Sequence, residues 1–161
     1  MNDRFYLEKL FQDKNYTAAE SLLIKLIADA PQDGGLYTLR ALARLELGRH
    51  RGALSDVFHA LALNPYDSGM HALGGLVFWR SGEREVACGY YQSAISFKDR
   101  KTIELINYAN LLVELGRYEL ALAHFKEALN SNPDSDERFH AGMGITMCEL
   151  RLSRLRSTEG M

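Results

Sequence analysis

Thr102 to Pro133 reads TIELINYANLLVELGRYELALAHFKEALNSNP, and the way this stretch divides decides the fold. Leu105, Tyr108, Ala109 and Leu112 stand at i, i+3, i+4 and i+7, the spacing of one helix face. Ala121, Leu122, Phe125, Ala128 and Leu129 repeat that spacing after Gly116-Arg117. Gly116 suits a helix end that needs a left-handed residue, and Pro133 cannot continue a helical ladder. The stretch therefore predicts a hairpin of two helices.

Working outward, the same hairpin recurs every 34 residues. Pro31, Pro65 and Pro133 keep that interval or a multiple of it, with Asp99 in the remaining slot. Gly48, Gly82 and Gly116 keep it too, with Lys14 in the first slot. Ala19, Ala53, Ala87 and Ala121 form a column of small residues, and Leu26, Ala60, Ala94 and Ala128 form another. Leu23, Val57, Tyr91 and Phe125 stand between them. Small residues let paired helices approach, and the large residue fills what remains. A hairpin of this size cannot bury its apolar face alone, so its neighbours must stack on it.

The 34-residue period, the glycine between helices, the two alanine columns and the closing proline resemble the tetratricopeptide repeat. The resemblance covers residues 1–33, 34–67, 68–101 and 102–135, with a capping helix over 136–152 and a frayed tail from 153. It implies an all-α, right-handed solenoid of four hairpins plus the cap. Departures are local: the family's first aromatic is Tyr37 in the second repeat but Asp3, His71, Leu105 and Phe139 elsewhere, and the first repeat lacks its glycine.

The 161 residues carry a formal charge of -2, which gives nucleic acid or an anionic membrane no electrostatic hold. No apolar run approaches the roughly 18 residues of a membrane span. The N-terminal MNDRFYLEKLFQDKNY has charges throughout and is not a secretory signal, so the cytoplasm is the default location. Cys88 and Cys148 read as buried, reduced thiols. The five histidines offer no i, i+4 pair, so no metal geometry emerges, and no phosphate loop or nucleophile elbow is present. No cofactor and no enzyme activity is expected. Arg151, Arg154 and Arg156 suit a solvated helix end.

Locally, Thr17 with Glu20 reads as a capping box opening the first repeat's second helix. Gly69, Gly74 and Gly75 are costly inside a helix, which points to close helix packing there.

In this family the first helix of each repeat lines a concave groove. The matching columns here are Arg4, Thr38, Ala72, Ile106 and His140, then Glu8, Leu42, Leu76, Asn110 and Gly144, then Phe11, Leu45, Trp79, Val113 and Met147. The resemblance thus implies a protein partner held by Thr38, Leu42, Leu45, Ala72, Leu76, Trp79, Ile106, Asn107, Asn110 and Val113. Asn107 and Asn110 would hold the backbone of an extended peptide. The basic clamp by which some relatives grip acidic chaperone tails is missing, since its places hold Arg4, Glu8, Leu39, Gly69 and Leu73. The function expected is capture of an extended or short helical segment, as scaffold, adaptor or chaperone. A bacterial secretion chaperone or assembly subunit is the sharper alternative, similar in architecture though without the usual N-terminal helical extension. The rival is a structural oligomer, a homodimer through Phe139, Met143, Met147, Leu150 and Leu155 of the last helix.

Overall fold

The structure, a computed structural model, describes residues 3–159. Four hairpins follow one another: α1 (Asp3–Gln12) with α2 (Tyr16–Asp29), α3 (Gly34–Glu46) with α4 (His50–Leu63), α5 (Ser68–Arg80) with α6 (Arg84–Ser96), and α7 (Thr102–Glu114) with α8 (Tyr118–Asn130). A last helix, α9 (Ser135–Glu159), closes the chain. No strand occurs among the described residues. Each helix packs on the next, and α3, α5, α7 and α9 also pack on one another in that order. The chain is a helical-repeat solenoid.

The hairpins turn where the glycine column places them. Gly48, Gly82 and Gly116 have φ of 71°, 88° and 71°, and Lys14 takes the same left-handed conformation at 54°. The alanine columns are the contact line of each hairpin: Ala19, Ala53, Ala87 and Ala121 have no exposed surface. Tyr91 and Phe125, equally buried, fill the space beside them. Around these two rings the largest core unites α6, α7, α8 and α9 through Leu105, Leu111, Leu112, Ala141 and Cys148. A smaller one, from Leu7, Leu10, Ala19, Leu23 and Ala43, joins α1 and α2 to α3.

Tight packing accounts for two of the three helical glycines in α5. A methyl group on Gly74 would lie 2.7 Å from the Tyr90 ring, and one on Gly75 would lie 2.9 Å from the Tyr91 ring. Gly69 is different, with only Asp67 and Glu104 oxygens nearby.

Two local expectations are corrected. The N-cap of α2 is Asn15, whose Oδ1 accepts the Ala18 N–H at 3.3 Å, and the helix has already begun at Tyr16. Glu20 is therefore free of capping duty and turns inward, 6% exposed, toward arginines of the next repeat. The frayed tail from residue 153 is helical as far as Glu159, because no Gly or Pro interrupts it and Leu152 anchors it at 7% exposure. Residues 160 and 161 lie outside the described residues. At the other end of α9, Asp134 and Glu137 cap each other's backbone N–H groups at 2.8 and 3.1 Å.

Candidate functional site

The inner face is set by how closely successive first helices approach. Between α3, α5, α7 and α9 they touch, so side chains on that face are drawn into the seam. At the first repeat α1 packs chiefly on α2 and meets α3 through side chains of the small core, without the close backbone approach seen between α3 and α5. A cleft remains between α1 and α3.

Charged residues hold the repeat behind this cleft. Arg44 donates through Nε to Glu20 Oε1 at 2.8 Å and through Nη1 to Asp56 Oδ2 at 2.8 Å. Arg40 forks onto the same Asp56 carboxylate at 2.6 and 3.0 Å, and Arg49 reaches Glu20 from the following turn. Asp56 is 1% exposed, and the two guanidiniums on its carboxylate offset the cost of burying it. The hydrogen bond to Asp56 raises the Arg40 pKa further above the ordinary guanidinium range. This network, spanning α2, α3 and α4, fixes the wall on which the cleft is built.

The cleft has two adjoining parts, which share Arg4, Leu7 and Leu39 in their linings. The larger, about 710 Å³, is floored by Leu7, Leu26, Leu36, Leu39 and Met70. Its rim carries Asp3, Asp29, Asp33 and Asp67 against Arg4 and Lys101, so carboxylates outnumber cations. Asp33 and Asp67 are partly committed, capping Gly35 and Met70 N–H groups at 2.9 Å each. The smaller part, about 450 Å³, runs along α1 and α3 between Arg4, Leu7, Glu8, Phe11, Gln12, Leu39 and Leu42. An apolar floor with a polar rim can bury nonpolar side chains while leaving a bound backbone near water.

Of the ten residues expected to meet a partner, Thr38 lines the larger part and Leu42 the smaller. Leu45 and Ile106 are each 2% exposed and belong to the core. Leu45 lies with Ala41, Ala53, Val57 and Val77, and Ile106 lies with the α7–α8 residues. Neither can contact a partner, because the adjacent first helices close over them. Ala72, Leu76, Trp79 and Val113 are half-buried against the same cores. Trp79 is also tied down, its indole N–H donating to Glu114 Oε2 at 2.9 Å. Asn107 and Asn110 are half-buried on α7. Gly144, placed in a groove column by spacing, faces α8, where a methyl group would lie 2.3 Å from the Phe125 ring.

The structure brings forward Leu7, Leu26, Leu36, Leu39 and Met70, which the column argument passes over. The signal for them was the irregular first repeat, with Asp3 in the aromatic column and no glycine at its turn. A hairpin that departs from the pattern there packs differently on its neighbour.

Residues 103–135 match the family model described as the tetratricopeptide repeat. The α7–α8 hairpin therefore matches one tetratricopeptide repeat, and the fold of the chain is that of tetratricopeptide-repeat proteins. No curated protein sequence matches the chain. Among solved structures it is similar to TTC0263, a thermophilic tetratricopeptide-repeat protein of Thermus thermophilus, with a TM-score of 0.80 and 24% identity over 87% of this chain and 78% of that one. It is also similar to the Pseudomonas aeruginosa pilF protein, with a TM-score of 0.69 and 26% identity over 74% of this chain and 54% of that one. A third similar structure is YrrB, described as having an unusual peptide-binding site, with a TM-score of 0.62 and 16% identity over 89% and 75% of the two chains. Tetratricopeptide-repeat folds serve generally as protein–protein interaction modules. No helix among the described residues is long and apolar enough to cross a membrane.

Proposed function

We propose that this protein holds an extended or short helical segment of a partner protein in the cleft between α1 and α3, acting as a scaffold, adaptor or chaperone. The observation that carries the reading is the pair of adjoining cavities, which share Arg4, Leu7 and Leu39 and whose lining is largely aliphatic. On this reading the contact surface lies on the first two repeats rather than the middle ones. The rim favours a segment that carries Lys or Arg beside its apolar residues, because four carboxylates stand there against two cations. The site in YrrB supports peptide capture by such folds in general.

The test is selection from a displayed peptide library on the intact protein, followed by titration of the selected peptide. Apolar peptides containing basic residues should emerge, with binding that weakens as salt rises. Leu39→Glu, which puts a charge on the floor, should abolish that binding while circular dichroism stays helical. Peptides that bind Leu39→Glu as well as the parent would place the site elsewhere.

A further inference from the structure

The outer face of α9 is built unlike the end of a solenoid. Terminal elements of repeat proteins ordinarily turn a polar face to water. Here Phe139, Met143, Met147 and Leu150 stand 65%, 59%, 39% and 51% exposed. Asp136 lies one turn before Phe139 and Arg154 one turn after Leu150. The intervals through these six residues are three or four throughout, so they form one stripe along the helix.

The repeat explains what belongs on that stripe. One period before Phe139 and Met143 stand Leu105 and Ala109, which are 1% and 0% exposed beneath α8. Two periods further back stand Tyr37 and Ala41, 8% and 0% exposed beneath α4. In each complete repeat the second helix of the hairpin covers this face, and it runs antiparallel to the first. In α9 the described residues supply no such helix. Leu150 occupies the slot that Gly48, Gly82 and Gly116 hold in the complete repeats. With no left-handed glycine to end it, α9 runs on to Glu159.

We propose that two copies of this chain pair through α9, antiparallel, each helix taking on the other the place that the second helix of the hairpin holds in the complete repeats. Charge fixes the same direction independently. Setting Met143 of one copy opposite Met147 of the other places Asp136 opposite Arg154 at both ends, about 27 Å apart at 1.5 Å per residue. A parallel pair would instead face Asp136 with Asp136 and Arg154 with Arg154. The first turn of α9 is acidic and its last turn basic, so an antiparallel pair sets unlike end charges beside each other. The apolar stripe supplies the affinity and the end charges the register, since exposed ion pairs alone contribute little. A stripe this narrow gives a dimer of modest strength, roughly micromolar.

Sedimentation velocity over a concentration series of the full chain tests this. The parent should pass from monomer to dimer. Met143→Glu should weaken the dimer by about a hundredfold or more, equivalent to about 2.7 kcal/mol, with unchanged helicity. Asp136→Arg and Arg154→Asp should each weaken it about tenfold, and the two together should restore it toward the parent. These exposed charge variants keep the test decisive if Met143→Glu folds poorly. A parent that stays monomeric at its solubility limit overturns the proposal, even if a different protein binds the stripe. So does a dimer untouched by Met143→Glu, or a double charge variant no stronger than the single ones.

Discussion

Tyr91 shows what a single position in this chain has to reconcile. Its ring fills the third hairpin beside Ala87 and is the reason Gly75 has no side chain. Its hydroxyl, in the same interior, has no hydrogen-bond partner among the described residues, and burial pushes its pKa well up. Tyr91→Phe keeps the ring and removes the orphan, so stability by chemical denaturation should rise by about 1 kcal/mol. Glu104 is a second case, 3% exposed, accepting the Lys101 N–H at 3.0 Å and the Ser68 hydroxyl at 3.3 Å. Burial raises its pKa, outweighing those bonds. A carboxyl whose folded pKa exceeds its unfolded one contributes its stability below the unfolded value and loses it as pH rises through the folded value. Glu104→Gln cannot ionise and keeps an acceptor for Lys101, so its melting midpoint should exceed the parent's at neutral pH. The gap should close as pH falls toward the ordinary glutamate value of about 4.3. An equal gap at both ends would mean that ionisation is not the cause.

At the level of the hairpin, the turn glycines and alanine columns made the fold legible, because each has a steric reason to recur. Where a column held the wrong residue, the backbone did not change to suit it. Lys14 adopts φ of 54° in the slot where its successors are glycine. Lys14→Gly should therefore stabilise the protein by about 1 kcal/mol, read as a higher melting midpoint, since a left-handed non-glycine residue costs about that much. The charged network was less legible. Arg40 and Arg44 stand one period before Gly74 and Phe78 and two before Tyr108 and Leu112, in columns otherwise small or apolar. That misfit was the available signal. Their partners Glu20 and Asp56 lie on other helices, where a lone carboxylate reads as surface.

Across the whole molecule, spacing gives the face a residue points from but not how closely the next element covers it. That is why Leu42 and Leu45, on the same helix, part company: Leu42 opens into the cleft, and Leu45 is sealed beneath neighbouring helices. Leu76 has cores on either side. Leu76→Arg should accordingly destabilise the fold by about 2–4 kcal/mol. Leu42→Arg should leave the melting midpoint nearly unchanged while removing peptide binding. Both variants can be followed by thermal denaturation and peptide titration, and equal melting losses would deny the difference in depth. The two free cysteines have a use that follows from their positions. Cys88 and Cys148 are 4% and 0% exposed, one in α6 and the other in α9, and burial raises both thiol pKa values. Neither should be alkylated while the protein is closed. Each thus acts as a separate stopwatch, timing how often its own helix lifts away and whether the end of the stack peels before the middle gives.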